Sequence, residues 1–150
     1  MKSLALDIDQ SACWGCLTCQ VICIQEASVI ENISMIRVSE NGPHMLKGRL
    51  VFSYAITVCQ HCQDPDCMAV CPVEAITKRD DGIVLLDGKL CTGCELCLDA
   101  CPFDAIFFDK SLEIAAKCNL CHQRIDAGLL PACADNACLA HCIRLKGLLL

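Results

Sequence analysis

Residues 91–102 read Cys91-Thr92-Gly93-Cys94-Glu95-Leu96-Cys97-Leu98-Asp99-Ala100-Cys101-Pro102, the pattern Cys-x2-Cys-x2-Cys-x3-Cys-Pro. Two-residue gaps let three thiolates converge from one loop. The three-residue gap then carries a fourth thiolate onto the next element, where it points elsewhere. This is the spacing with which a chain cages cuboidal iron–sulfur clusters: three cysteines of a run hold one cube and the fourth reaches across to another.

Working outward, the run is one of four. Upstream stands Cys59-x2-Cys62-x4-Cys67-x3-Cys71-Pro72, and before it Cys13-x2-Cys16-x2-Cys19-x3-Cys23. Downstream is Cys118-x2-Cys121-x11-Cys133, followed by Cys138 and Cys142. The two middle runs form an internal repeat, since Cys71-Pro72-Val73-Glu74-Ala75-Ile76 matches Cys101-Pro102-Phe103-Asp104-Ala105-Ile106 thirty residues later. Each repeat reads as a ligand loop, one or two helical turns and a short strand. Proline suits the first turn of a helix, which places Glu74 and Asp104 near a helix N-terminus. Gly82–Leu86 and Ile106–Phe108 are the strands expected to follow.

Two further strand candidates, Met35–Val38 and Arg49–Val58, show partial alternation. Asn41-Gly42-Pro43 is a turn signal between them, and a hairpin is expected with its loop over His44–Gly48. Glu113–Lys117 reads as a helical turn leading into Cys118. No linker divides the chain, so residues 1–150 are expected to form one domain. An inner cluster pair spans about 55–110, and an outer pair is drawn from 7–30 plus 115–145.

Seventeen cysteines in 150 residues also invite a disulfide reading. An odd number leaves one thiol over, and the tight gaps suit metal ligation better. The first ten residues have no apolar stretch, so no secretory signal is expected and a reducing cytoplasm is the expected setting. A net charge of −6 without a basic stripe argues against nucleic acid. No apolar run approaches the ~20 residues that span a bilayer. Leu148–Leu150 is too short to span one and is expected to pack against this chain or a partner.

Zinc competes with iron–sulfur chemistry, since Cys-x2-Cys pairs also build tetrahedral zinc sites. A zinc site needs only two such pairs, not full runs ending in Cys-Pro, so zinc is an alternative chiefly at the fourth group.

On these residues the chain resembles the ferredoxin-type electron-transfer subunits of molybdenum or tungsten pterin oxidoreductases, such as the small subunits of dimethyl sulfoxide reductase and formate dehydrogenase. The shared features are Cys13-Trp14-Gly15-Cys16-Leu17-Thr18-Cys19, Cys59-Gln60-His61-Cys62, Asp64-Pro65-Asp66-Cys67, Lys117-Cys118-Asn119-Leu120-Cys121, and Gly128-Leu129-Leu130-Pro131-Ala132-Cys133. A narrower likeness is to the electron-transfer subunit of tungsten-dependent class II benzoyl-CoA reductase. The resemblance implies an α+β, ferredoxin-like polycluster fold of two pseudo-twofold paired-cluster units. It also implies ligand sets: Cys59, Cys62 and Cys67 with Cys101; Cys91, Cys94 and Cys97 with Cys71; Cys118, Cys121 and Cys133 with Cys23; and Cys13, Cys16 and Cys19 with a cysteine of the fourth group. The family's last cysteine stands four residues after the third and precedes proline. Here that position is Ala137, and Cys138 and Cys142 compete for the role. Three or four [4Fe–4S] clusters are therefore both open.

The function this implies is electron transfer without catalysis of its own. Single electrons pass to or from a large molybdenum- or tungsten-pterin subunit, with a further electron-transfer subunit or ferredoxin at the other end. A free soluble ferredoxin and a zinc-stabilised binding module are the alternatives. Among other residues, His61 is read as supporting a ligand loop or lying at the surface, and His44 as a loop residue. His122 and His141 flank the irregular fourth group, where a histidine ligand is an alternative. Trp14 is expected to shield a cluster from water. Lys78-Arg79-Asp80-Asp81 reads as a solvated turn, and Arg37, Arg49, Arg144 and Lys146 as a solvated face.

Overall fold

The computed structural model describes residues 3–26 and 33–147. Strand β1 (Ala5–Ile8) leads through a 3-10 turn (Gln10–Ala12) into helix α1 (Thr18–Glu26). A long hairpin follows, β2 (Ile36–Leu46) and β3 (Arg49–Val58), then α2 (Asp66–Ala69), β4 (Ile76–Lys78) and β5 (Val84–Leu86). The remainder is α3 (Leu96–Ala100), β6 (Ile106–Asp109), β7 (Ile114–Lys117), α4 (His122–Asp126) and β8 (Ile143–Lys146). Helix and strand are mixed, as expected of a ferredoxin-like chain. The Leu148–Leu150 segment lies outside the described residues.

The strands pair two by two and antiparallel: β2 with β3, β4 with β5, β6 with β7, and β1 with β8. The last pair joins the two ends of the described chain, with Ile8 opposite Ile143 and Ala5 opposite Lys146. It brings the first and fourth cysteine groups together, and the packing of α2 on α3 does the same for the second and third. The core follows the same division. Leu4, Leu6, Ile36, Ile56, Val58, Ile83, Leu120 and Ile143 pack with cysteines of the first and fourth groups. Ile76, Val84, Ile106 and Ala115 pack with Cys97. Ile36, Ile83 and Val84 are essentially fully buried, each contributing about 1.5–3 kcal/mol.

Three local expectations are corrected. The helical turns of the middle repeats come before the proline. Cys67 lies in α2 and Cys97 in α3, while Cys101 is the extended residue that ends α3. A residue preceding proline is pushed out of the helical region, so Cys-Pro stops a helix here rather than starting one. Glu74 and Asp104 accordingly sit in left-handed turns (φ 52° and 48°), not at a helix N-terminus.

Residues 114–117, expected as part of a helical turn, form β7 and pair with β6. The Asp109 carboxylate accepts bonds from the Ser111 N–H and hydroxyl (2.7 and 2.6 Å) and from the Leu112 N–H (3.1 Å). That closes a tight turn, and Glu113 (φ 53°) is left-handed, so no helix runs through it. The hairpin before Cys59 forms, but its turn is the two residues Lys47 and Gly48 (φ 48° and 75°), the conformation that favours two-residue hairpins. Asn41–Pro43 lie within β2, where the register slips between Asn41 and His44. Proline inside a strand is tolerated at such a bulge.

Candidate metal centre

Each ligand loop carries a left-handed residue just before its second cysteine: Gly15 (φ 70°), His61 (47°), Gly93 (70°) and Leu120 (56°), with Leu17, Glu95 and Cys121 left-handed as well. This reversal aims successive N–H groups inward, as backbone nests do around anions. The His61 N–H donates to Cys59 Sγ (3.5 Å) and the Leu120 N–H to Cys118 Sγ (3.4 Å), the same bond in two loops. Neighbouring elements add further donors. The Ala115 N–H reaches Cys91 Sγ (3.4 Å), the Met35 N–H reaches Cys23 Sγ (3.3 Å), and the Ala105 N–H reaches Cys101 Sγ (3.5 Å). Gly93 is required for close approach, because a Cβ there would fall on the Glu113 carbonyl.

The sulfurs gather across groups. Cys59, Cys62, Cys67 and Cys101 line one small cavity. Cys23, Cys118, Cys121 and Cys133 line another of about 300 Å³. Burial pushes the Cys97 thiol up to about 11, helped by the sulfurs of Cys91, Cys67 and Cys94. Cys71 packs against the same small core as Cys97 and Cys91. Burial likewise pushes Cys19 up to about 11, with Cys13, Cys138 and Cys16 as its neighbouring sulfurs. Burial pushes Cys118 up to about 12, with Cys59 and Cys23 nearby, and raises Cys133, whose neighbours are Cys118, Cys121, Cys23 and Cys19. In contrast, the Thr18 hydroxyl, 3.4 Å from exposed Cys16, holds that thiol below its ordinary range. Buried thiols resist ionising alone, so cationic iron has to offset the cost of making them thiolates.

The donor chemistry fits [4Fe–4S] clusters: thiolates only, in cross-group sets of four, on N–H-lined loops. Among the described residues, no group of three or more His, Cys, Asp or Glu converges to hold a single metal ion.

Cys138 and Cys142 lie side by side, Sγ to Sγ 3.4 Å, both buried. The segment Cys138-Leu139-Ala140-His141-Cys142-Ile143 follows the path of the two middle tails. In each tail the fourth residue is left-handed (Glu74, Asp104, His141 at φ 52°, 48° and 50°). Its N–H bonds to the carbonyl of the cysteine three residues back, at 3.3, 3.2 and 2.9 Å. The sixth residue opens a strand in each (β4, β6, β8). Asn136 (φ 56°), in a conformation asparagine tolerates, takes up the extra residue before Cys138.

A scan against family models matches residues 50–147 to the 4Fe-4S dicluster domain. This protein belongs to the 4Fe-4S dicluster domain family. It is therefore an iron–sulfur protein, and [4Fe–4S] clusters are its cofactors. The family match covers the second, third and fourth cysteine groups. Relatives of the dicluster protein extend the likeness. It is 38% identical over 137 residues to the B subunit of tetrathionate reductase of Salmonella typhimurium, covering 88% of this chain and 53% of the relative. It is 34% identical over 139 residues to the B component of anaerobic dimethyl sulfoxide reductase of Escherichia coli, covering 86% and 66%. To the B component of polysulfide reductase of Wolinella succinogenes it is 35% identical over 134 residues, covering 88% and 70%. The chain thus spans between about half and 70% of the length of these relatives. They agree with the oxidoreductase-subunit resemblance, and the narrower likeness to benzoyl-CoA reductase gains no support from them.

The histidines are mixed. His61 is buried, its Nδ1 accepting the Val84 N–H at 3.0 Å, which leaves the proton on Nε2. Burial, and then the charge of Lys117, push its imidazole down to about 3. Its place is inside the ligand loop, not at the surface. Among the described residues, His122 Nδ1 is buried without a hydrogen-bond partner, while His141 is exposed. Trp14 is 65% exposed, so most of the ring faces solvent rather than shielding a cluster.

The charged run at the end of β4 is not merely solvated. Lys78 Nζ bonds the carbonyls of Cys62 (3.1 Å) and Gln63, while Arg79 clasps Asp126 of α4 with two bonds (2.9 and 2.6 Å). Arg37 is likewise engaged. It bonds the Asp104 carbonyl at 2.8 Å and lies 5.2 Å over the Phe107 ring. The residue that sequence reasoning passed over is Lys117, buried between two sulfur sets. It stood in the shared motif Lys117-Cys118-Asn119-Leu120-Cys121 and closes the apolar run Ile114-Ala115-Ala116, but was given no role there. Among the described residues, no helix is long and apolar enough to cross a membrane.

Proposed function

We propose that this chain relays single electrons through four [4Fe–4S] clusters, to or from the molybdenum- or tungsten-pterin catalytic subunit of an oxidoreductase complex. It performs no catalysis of its own. The proposed sets are Cys91, Cys94, Cys97 and Cys71; Cys59, Cys62, Cys67 and Cys101; Cys118, Cys121, Cys133 and Cys23; and Cys13, Cys16, Cys19 and Cys138. The first two and the last two form the pseudo-twofold pair of ferredoxin units, within a single polyferredoxin domain over 1–150.

The observation that carries this reading is the order of the sets. Cys97 neighbours Cys67, Cys118 neighbours Cys59, and Cys133 neighbours Cys19. The first two sets share one core and the last two another, with Lys117 between the cavities of the middle two, so the proposed sets are linked one to the next in a row. At the two ends stand the two exposed cysteines, Cys94 and Cys16. Their sequence neighbours Leu90, Leu96, Trp14 and Leu17 expose apolar surface suited to a docking partner. A row with both ends at the surface suits conduction from one partner to another.

When bound, each cluster accepts or releases one electron. The chain spaces the sets and directs N–H groups at the ligand sulfurs, which tunes potential. Substrate chemistry belongs to the partner's cofactor. A reducing compartment such as the cytoplasm suits so many thiolates.

Anaerobic purification from native cells tests the assignment. Co-elution with a large pterin-containing chain, with electrons passing between the two, is expected. Elution alone would favour a free carrier, and zinc without sulfide would favour a structural module.

A further inference from the structure

Seventeen cysteines leave one beyond four sets of four, and the three matching tails identify it. Where Cys142 stands, the middle tails have Ala75 and Ala105. All three positions are buried, each directly before the buried isoleucine that opens a strand (Ile76, Ile106, Ile143). Neither alanine can bind iron, and the ligand position of each tail is its first residue. By this equivalence Cys138 is the ligand, and Cys142 is an alanine position carrying an added thiol.

That thiol is not idle in its setting. Its sulfur lies 3.4 Å from Cys138 Sγ, and its own backbone carbonyl is held by the Asp9 N–H (2.8 Å) across the β1–β8 pair. The side chain is fixed against its neighbour rather than free to rotate into solvent. A sulfur bound to iron carries no proton, so it can only accept. The S–H of Cys142 is then the donor.

We propose that Cys142 holds no iron and instead donates an S–H hydrogen bond to the ligand sulfur of Cys138, raising the midpoint potential of the cluster at that end of the row. The inference rests on the proposed four-cluster reading. Hydrogen bonds to ligand sulfurs draw off negative charge and so favour the reduced state. The two middle tails lack such a thiol, which makes this cluster's environment differ from theirs by one donor.

The test compares wild type with Cys142→Ala, Cys142→Ser and Cys138→Ala, all purified anaerobically. Iron, acid-labile sulfide and an EPR-monitored redox titration are measured on each. Cys142→Ala is expected to keep the full wild-type iron and sulfide and to move one midpoint to a more negative value, leaving the others in place. Cys142→Ser, which restores a donor, moves that midpoint back toward wild type. Cys138→Ala loses iron. Loss of a cluster in Cys142→Ala with retention in Cys138→Ala would reverse the assignment. A full complement with no midpoint moved would overturn the hydrogen bond. A wild-type protein without sulfide would instead bring down the cluster reading itself, and the two failures are told apart on the same samples.

Discussion

The Lys117 ammonium donates to the backbone carbonyl of Val84, and also to that of Cys118 at 2.8 Å, with the residue only 7% exposed. It lines both the cavity of Cys59, Cys62, Cys67 and Cys101 and the cavity of Cys23, Cys118, Cys121 and Cys133. A buried cation between two anionic sets favours an added electron on either. Lys117→Met keeps the apolar stem but strands two carbonyls, which costs about 1–3 kcal/mol each where no water replaces the donor. The variant should unfold at lower denaturant in chemical titrations, and two midpoints should become more negative in a redox titration. Unchanged midpoints would remove Lys117 from the electrostatics of the row.

Gly93→Ala tests the loop geometry. A left-handed alanine costs roughly 1–2 kcal/mol by itself, and its Cβ would strike the Glu113 carbonyl, which is backbone and cannot swing aside. At Gly15 the same change meets the Tyr54 ring, a side chain that can move. Iron and sulfide content should therefore fall further in Gly93→Ala than in Gly15→Ala. The reverse order would contradict the account of the loops.

Arg124 ties α4 to distant segments. It bonds Glu26 of α1 (3.0 Å), Asp135 (2.6 Å) and the Leu130 carbonyl (2.8 Å). These groups are partly exposed, so screening limits Arg124→Met to about 1 kcal/mol of global stability. The local effect should be larger. Hydrogen exchange is expected to quicken between residues 122 and 135, around Cys133, while the β6–β7 hairpin keeps its protection. Uniform exchange across the chain would show that Arg124 does not hold this region.

Removing the metal should unfold much of the chain. The strand pairs are short and the cores are built around sulfur. Burial leaves bare thiols such as Cys118 far above the usual range. Stripped of iron under reducing conditions, the protein should lose its cooperative thermal transition, followed by circular dichroism. Reconstitution should release protons, because the ligands bind as thiolates. A stripped chain that melts as sharply as the loaded one would show that the clusters are not part of the fold's stability.

Much of this was legible in the residues. Spacing alone marked the ligand loops and the repeat, because thiolates converging from one loop tolerate few gap lengths. Hidden from sequence was whatever long-range pairing decides. The β1–β8 pair joins segments whose residues say nothing of each other, and β7 follows from a turn closed by Asp109, not from strand propensity. The position of the helices relative to Cys-Pro turned on the conformation that proline imposes on the residue before it. The choice between Cys138 and Cys142 needed the path of the backbone, since the left-handed turns at Glu74, Asp104 and His141 share no residue type.

The most direct test is the metal content of the anaerobically isolated chain, measured with its EPR spectrum after reduction. The account predicts about sixteen iron and sixteen acid-labile sulfide per chain, four of each for every set of four cysteines, with signals from interacting [4Fe–4S] clusters. A colourless chain without sulfide, or one holding zinc in place of iron, would contradict it.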